Sequence, residues 1–204
     1  MYLFEEYNIA SLHIPKNAGS SLRFYFVDLF GKYKIIGPEH ALLKNKIHHL
    51  PKDCKIVATV RNPYDRVVSM YYHRRGNYSP NNTGSWKNLL RNAGTMDFKN
   101  WFIKTILPSL NSHIPEDQPT YLSILIEDKI PENVFIAKTE TLKEDVDRIL
   151  VELNIFSDKE FSRANVTAAR PSKDWEHLYD DELKQLVYGW DKWTFDNFYI
   201  EYKP

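Results

Sequence analysis

The sequence predicts a single α/β domain in which helices cover both faces of a central parallel sheet. In the first half of the chain, short apolar runs typical of strands alternate with segments of helical periodicity, which is the order of strand–helix–strand units. The 204 residues contain no internal repeat, low-complexity tract or linker-like change of composition. We therefore expect one domain over residues 1–204.

The first strand is expected at residues 9–14 and the first helix at residues 20–30, where apolar side chains recur at helical spacing. A short strand at residues 34–36 and a second helix at residues 38–49 follow. Residues 55–60 give the strongest strand pattern, because the last five are continuously apolar or β-branched. This strand is expected at the centre of the sheet.

Pro63 begins the next helix, which should reach about residue 73, since proline is tolerated in a first helical turn. Residues 76–94 are rich in asparagine, glycine and serine and predict a loop. Thr141 and Glu144 have the spacing of a capping box at the start of a helix. The other expected segments are a helix at 97–107, a strand at 133–138, helices at 141–153 and 180–188, and an aromatic tail at 190–202 that packs on the core.

Lysine plus arginine number 27 and aspartate plus glutamate number 27, so no overall positive field attracts nucleic acid or an anionic membrane. Any anion site must be built locally. The single cysteine, Cys54, excludes an intrachain disulfide and a cysteine zinc cluster. No run approaches the ~18–20 apolar residues of a membrane span, and the acidic N-terminus does not resemble a signal peptide. We expect a reduced, soluble, cytoplasmic protein.

A first candidate anion site follows the first predicted strand. Pro15 stiffens the exit from the strand, Gly19 permits a tight turn, and Ser20 and Ser21 begin a helix. Backbone N–H groups and the positive dipole end of a helix attract anions there, and Lys16 adds a positive charge. The lysine precedes the glycine by three residues, whereas in a Walker A loop it follows the last glycine.

A second candidate anion site follows the central strand. Arg61 stands at its carboxyl end, the edge at which α/β sheets bind ligands, and Ser69 lies eight residues further on in the next helix. A guanidinium and a hydroxyl in such positions can bind a phosphate. Arg66 is expected to form a surface salt bridge with Asp65 or a later carboxylate.

Both elements resemble those of the sulfotransferases. The run HIPKNAGSSL at residues 13–22 is similar to the phosphosulfate-binding loop HIPKTAGTSL of the carbohydrate and membrane-type branch, and VRNPYDRVVS at residues 60–69 resembles the element that holds the 3′-phosphate of the donor. The resemblance implies the sulfotransferase fold, which is related to P-loop nucleotide-binding folds. It also implies 3′-phosphoadenylyl sulfate (PAPS) as donor, adenosine 3′,5′-bisphosphate as product, and no metal.

On this resemblance Lys16 stabilises the leaving group, and Arg61 and Ser69 bind the 3′-phosphate. Residues 165–173 are similar to the loop that folds over the donor, so Arg170 and Lys173 either reach the donor phosphates or belong to an exposed charged loop. The donor contacts expected from the first loop are Pro15, Lys16, Asn17, Ala18, Gly19, Ser20 and Ser21.

Transfer to a hydroxyl requires a base that accepts its proton. His40 lies near the end of the second predicted strand, and the pair His40-Ala41 resembles a His-Ala pair of related bacterial members, so we expect His40 to be the base. Glu39 is the next candidate. His48 and His49 are expected to complement a helix dipole, and His13 to be structural.

The sequence therefore predicts a sulfotransferase that acts on a hydroxyl, on a carbohydrate acceptor, with no nucleic-acid partner. The acceptor-binding region is not recognisable, and the oligomeric state is not predicted. A P-loop-like kinase would need a Walker A loop and a metal-holding aspartate after a strand, and neither is found. The alternative of a non-catalytic nucleotide-binding protein of the same fold stays open. The reason is that only the positions of the side chains decide which residue, if any, can act as the base.

Overall fold

The computed structural model describes residues 1–83, 87–111, 117–157, 159, 161, 170–172 and 174–204. The chain divides into two units. The first comprises Met1–Arg61 and Thr120–Asn165, and the second comprises Asn62–Pro119 and Val166–Pro204. The prediction of one domain over the whole chain stays a prediction.

A five-stranded sheet forms the centre of the first unit, with the strand order β3-β1-β2-β4-β5. Strands β2, β4 and β5 are parallel, whereas β1 is antiparallel to both β2 and β3. The predicted α/β class is confirmed, and the sheet is mixed, with a parallel core of three strands. The strands are β1 (Tyr2–Phe4), β2 (Ile9–Leu12), β3 (Lys34–Ile35), β4 (Lys55–Val60) and β5 (Val134–Lys138).

The helices of the described residues include most of those expected. They are α1 (Gly19–Phe30), α2 (Pro63–Gly76), α3 (Lys87–Thr95), α4 (Phe98–Trp101), α5 (Thr120–Ile124), α6 (Leu142–Glu152), α7 (Asp181–Trp190) and α8 (Lys192–Phe198). After α4 the chain continues as a π-helical turn, Phe102–Ile106, within the helix expected at 97–107.

One apolar cluster joins α1 and α6 to the sheet. Because side chains alternate between the two faces of a strand, Ile9, Val57 and Ala137 point to the same face, where both helices cover them. The helix residues of this cluster are Leu22, Tyr25, Phe26 and Phe30 from α1 and Leu142, Val146, Ile149 and Leu150 from α6.

The register of the parallel strands brings two loops to one edge of the sheet. Leu12 pairs with Ala58, and Val60 pairs with Lys138. The residues that follow β2 and those that follow β4 therefore lie at the same carboxyl edge, where parallel sheets bind ligands.

The helix expected at residues 38–49 is wrong, because the structure has two 3₁₀ turns there, Leu43–Asn45 and Ile47–His49. Leu43 and Lys46 are buried at a spacing of three residues, which matches the 3.0 residues per turn of a 3₁₀-helix. Lys46 Nζ donates to the Glu39 carbonyl at 3.1 Å, so this buried ammonium has a hydrogen-bond partner.

The loop expected at residues 76–94 contains a helix in its second half, α3. Gly94, which indicated a loop, lies within that helix. A Cβ atom at Gly94 would come within 2.3 Å of the Tyr78 ring, so glycine here makes room for an aromatic side chain. The glycine serves close packing and not a turn.

Helix α6 begins where the sequence predicts, but the capping box is wrong. Among the described residues no side-chain hydrogen bond caps this helix at Thr141. The Thr141 hydroxyl donates instead to Asp145 Oδ2 at 2.9 Å, and the same oxygen accepts the Lys138 backbone N–H at 2.8 Å. Asp145 therefore joins the end of β5 to the first turn of α6.

The second unit is built on α2, which packs against α3, α4 and α7. Tyr64 of α2 lies 5.1 Å from the Tyr179 ring and 4.7 Å from the Phe195 ring, measured between centroids. Phe195 and Tyr199 are buried, which confirms that the aromatic tail packs back on its own unit.

Asp145→Ala should lower the free energy of unfolding by about 1.5–3 kcal/mol at neutral pH, since it removes hydrogen bonds to a charged group. Burial opposes ionisation, but hydrogen bonds from the Lys138 amide, Arg148 and Thr141 outweigh it and lower the pKa of Asp145. The stabilisation is therefore present above about pH 4, the pKa range of an unfolded aspartate, and is lost as pH falls through the lower folded-state pKa.

Urea unfolding of the wild type and of Asp145→Ala at pH 7 and pH 3 measures how the loss in the free energy of unfolding depends on pH. Asp147→Ala is the matched control, because Asp147 lies on the same helix and pairs only with the exposed Lys143 among its described contacts. Its loss should cost much less, because solvent screens this exposed ion pair. Equal costs for the two variants at pH 7 would contradict the structural role of Asp145.

Candidate active site

The loop between β2 and α1 has an unusual backbone. Lys16 and Ala18 have φ angles of +64° and +61°, in the left-handed region that residues other than glycine rarely adopt. Each such residue costs on the order of 1–3 kcal/mol and persists only where its surroundings hold it. The loop that the sequence singles out is therefore a strained segment that needs an anchor.

Asn17 supplies that anchor. Its side chain is fully buried, and Nδ2 donates to the Thr59 carbonyl at 3.2 Å and to Thr120 Oγ1 at 3.3 Å. Its backbone N–H donates to the Ile14 carbonyl at 3.2 Å. The Asn17 side chain thus holds the loop against β4, and the expected contact of Asn17 with the donor stays a prediction.

The N-terminus of α1 has the features of an anion site. Ala18 is the N-cap residue, and within the described part of the chain no side-chain hydrogen bond caps the helix there. Gly19 begins the helix, Ser20 is half-buried and Ser21 is buried. The first-turn N–H groups and the positive end of the helix dipole are therefore directed to the carboxyl edge of the sheet.

Gly19 lies in a closely packed position, and its backbone does not adopt the left-handed conformation of a tight turn. A Cβ atom at this position would lie 3.1 Å from two atoms of the His13 ring and 3.2 Å from the His13 Cα atom. The His13 imidazole therefore rests directly against the first residue of α1. The left-handed position that a tight turn would assign to glycine is occupied by Ala18.

Arg61 meets the loop at Lys16. Arg61 follows the last residue of β4, and its Nη1 donates to the Lys16 carbonyl at 3.0 Å. Lys16 and Pro15 lie in the same strained segment, half-buried and buried respectively. The structure thus brings together the lysine and the arginine that the sequence assigns to two separate anion-binding elements.

Three ionisable side chains cluster beside this loop: His13, Glu39 and His40. His13 Nδ1 lies 3.5 Å from Glu39 Oε1, and the rings of His13 and His40 are 5.1 Å apart between centroids. The Tyr2 hydroxyl hydrogen-bonds to the Glu39 carboxylate, and Arg23 Nη1 donates to the Tyr2 hydroxyl at 3.1 Å.

The electrostatics of the cluster favour a neutral imidazole beside a charged carboxylate. Burial, followed by the charge of His40, lowers the pKa of His13 to about 4. The hydrogen bond from Tyr2 lowers the pKa of Glu39 and outweighs the opposing effect of burial. At neutral pH the cluster therefore contains groups that can accept a proton.

The sequence did not indicate that His13 belongs to this cluster, or that Tyr2 and Arg23 support it by hydrogen bonds. The structural role expected for His13 stays a prediction; its position directly after a buried strand and three residues before Lys16 is the signal that could have indicated its place beside Glu39. Tyr2 lies in a strand that was not predicted. Arg23 lies on α1, where nothing in the sequence distinguishes it from a solvent-exposed arginine.

Two further predicted site residues, Ser69 and Arg170, belong to the second unit. Ser69 is buried on α2. Arg170 Nη1 pairs with Asp65 Oδ1 at 2.6 Å, and both side chains are largely buried. Lys173 and residues 165–169 of the same predicted loop lie outside the described residues.

The surface salt bridge expected for Arg66 is wrong. Arg66 is fully buried, and its Nη1 donates to the Gln118 carbonyl at 2.9 Å. Its guanidinium carbon lies 5.5 Å from the centroid of the Trp190 ring, which is a favourable cation–π distance. Asp65, the partner expected for Arg66, pairs instead with Arg170, and both of these side chains are largely buried.

The comparisons with known proteins identify one family. The family model described as "Sulfotransferase domain" matches residues 39–197, which is more than half of the chain. The match includes Glu39, His40, Arg61 and Ser69 and begins after the loop around Lys16. No curated protein and no solved structure gives a significant match. Among the described helices, none has the length and apolar character needed to cross a membrane.

Gly19→Ala should lower the free energy of unfolding by about 1–3 kcal/mol, because the added methyl group forces His13 and the start of α1 apart. Chemical denaturation measures this cost. Gly189→Ala is the matched control, since a Cβ at that position of α7 meets no described heavy atom within 4 Å. It should be neutral or stabilise by about 0.5–1 kcal/mol. A Gly19→Ala variant as stable as Gly189→Ala would refute the close packing.

Proposed function

Because the chain belongs to the sulfotransferase family, we propose that it moves the sulfuryl group of PAPS to a hydroxyl group of a carbohydrate acceptor. One observation carries the proposal: the N-terminus of α1, the Lys16 loop and the His13–Glu39–His40 cluster adjoin one another in a single unit. An anion site and proton-accepting groups are the two parts that sulfuryl transfer to a hydroxyl requires.

The donor side rests on the loop and the helix start. In this proposal the 5′-phosphosulfate lies against the first turn of α1, where N–H groups and the helix dipole favour negative charge. Arg61 binds the 3′-phosphate, as the sequence resemblance implies, and its contact with the Lys16 carbonyl keeps it beside the loop. The role of Ser69 in holding that phosphate rests on the resemblance alone.

The transfer step uses Lys16 and His40. The acceptor oxygen attacks the sulfur atom while the bond between sulfur and the bridging phosphate oxygen breaks. The electron pair of that bond stays on the phosphate, where the Lys16 ammonium offsets the growing charge. The hydroxyl proton passes to His40, with Glu39 as the alternative acceptor. The products are a sulfate ester and adenosine 3′,5′-bisphosphate.

The contact between His13 and Gly19 supports this arrangement. It places the cluster against the helix start at which the sulfuryl group would be bound. A base must come within hydrogen-bond reach of the attacking hydroxyl, so its proximity to the anion site matters more than its pKa. The carbohydrate nature of the acceptor is supported by the resemblance of residues 13–22 to the carbohydrate branch.

Adenosine 3′,5′-bisphosphate should raise the melting temperature of the protein, because a ligand that binds only the folded state stabilises it. At 100 times its dissociation constant the gain is about 2.7 kcal/mol. ATP with magnesium, the ligand of a P-loop kinase, should give a much smaller shift at the same concentration. Equal or greater stabilisation by magnesium ATP would refute the assignment of the donor.

Lys16→Ala should lower kcat by about 10²–10³-fold, because a preorganised charge at the leaving group is lost. Alanine and lysine have the same backbone preference at φ +64°, so the substitution does not change the strain of the loop. The measurement is the release of adenosine 3′,5′-bisphosphate from PAPS in the presence of a panel of glycosides. Lys44→Ala, at an exposed position, is the control. Wild-type turnover of Lys16→Ala would exclude its role at the leaving group.

A further inference from the structure

We propose that His13, Glu39 and His40 form a binding site for one divalent transition-metal ion, with Zn²⁺ as the best-fitting type. Each residue offers one ligand atom, and the three atoms all lie within 4.8 Å of one another. The ion is not a cofactor of the metal-free transfer proposed above. It binds to the same side chains that are proposed to accept the proton.

The distances allow a metal ion with small adjustments. Zinc bonds to nitrogen and oxygen are about 2.0–2.1 Å long, so two ligand atoms of a tetrahedral site are about 3.3–3.4 Å apart. His13 Nδ1 and Glu39 Oε1 are already 3.5 Å apart. In each of the other two pairs the ligand atoms are at most 4.8 Å apart, so they must move closer by at most about 1.5 Å to reach tetrahedral geometry.

One ligand is held rigidly and two can adjust. The His13 side chain is 10% exposed and packs against Gly19 at the end of β2, whereas the Glu39 side chain is 47% exposed. Glu39 and His40 lie between β3 and the first 3₁₀ turn, in a segment without regular secondary structure. Such a segment can close on an ion without unfolding a helix or strand.

The ligand types select for the metal. Two imidazoles and one carboxylate form the protein ligand set of many zinc sites and of non-haem Fe(II) sites. Mg²⁺ and Ca²⁺ prefer sites made entirely of oxygen atoms, which this cluster does not offer among the described residues. The site should therefore discriminate strongly between Zn²⁺ and Mg²⁺.

A second layer of hydrogen bonds orients the carboxylate ligand. The Tyr2 hydroxyl donates to Glu39, and Arg23 Nη1 donates to the Tyr2 hydroxyl, which directs the Tyr2 proton towards the carboxylate. Partners of this kind fix the orientation of ligands, and their loss costs about 10–100-fold in metal affinity. The cluster thus has both the ligands and the support that metal sites use.

Metal binding has a consequence for catalysis, which rests on the proposed function. An ion bound to the imidazole of His40 uses the lone pair that would accept the hydroxyl proton. Zn²⁺ should then inhibit sulfuryl transfer, and a chelator should restore it.

Calorimetric titration of the untagged full chain with Zn²⁺ tests the site. We expect one ion per chain, and the same titration with Mg²⁺ should give no comparable binding. The loss of a supporting hydrogen bond costs about 10–100-fold in metal affinity, and Tyr2→Phe should weaken Zn²⁺ binding within that range. His40→Gln removes a ligand and should weaken Zn²⁺ binding by more than that. His48→Gln is the matched control, because His48 is exposed in the nearby turn Ile47–His49.

Wild-type affinity in His40→Gln, or equal binding of Mg²⁺, would overturn the proposal. His40 is replaced in preference to His13 because His13 packs against α1, so that replacing His13 could unfold the loop. Thermal unfolding without metal tests whether His40→Gln is folded. The bisphosphate melting shift, measured on the same samples, reports the donor site independently. A normal shift without zinc binding therefore refutes the metal site alone, and zinc binding without a shift refutes the proposed donor alone.

Discussion

The buried side chain of Asn17 is the interaction on which the candidate site depends. It stands between two residues with left-handed backbones, and it hydrogen-bonds to Thr59 and Thr120 in the interior. The hydrogen bond to Thr59 holds the loop to the end of β4, two residues before Arg61. Because the loop is held to β4, it lies close to Arg61, which follows that strand. Arg61 can therefore donate a hydrogen bond to the Lys16 carbonyl.

Helix α1 links the anion site to the ionisable cluster. Helix α1 contacts the cluster at two points: Gly19 packs against His13, and Arg23 reaches Glu39 through the Tyr2 hydroxyl. Burial of His13 keeps its imidazole neutral, while the hydrogen bond from Tyr2 keeps Glu39 charged. The proton-accepting and metal-binding properties that we assign to the cluster both follow from this arrangement.

Elements with strong local patterns could be predicted from the sequence. Strand β4, helix α1 and helix α6 were expected within a few residues of their observed bounds, because their apolar periodicity is independent of the rest of the chain. Strand β1 was not predicted, since three apolar residues become a strand only through pairing with β2 and β3. The turns at residues 43–49 and the burial of Arg66 likewise depend on packing partners that are distant in the sequence.

The sequence by itself determined the fold class, the family resemblance and the identity of Lys16 and Arg61 as candidate anion ligands. These depend on residue type, order and short-range periodicity. Only the tertiary structure decided that Asn17 anchors the loop, that Gly19 makes room for His13, and that Tyr2 and Arg23 support Glu39. Each of these depends on a contact between residues that lie far apart in the chain or on different strands and helices, and local patterns carry no information about such contacts.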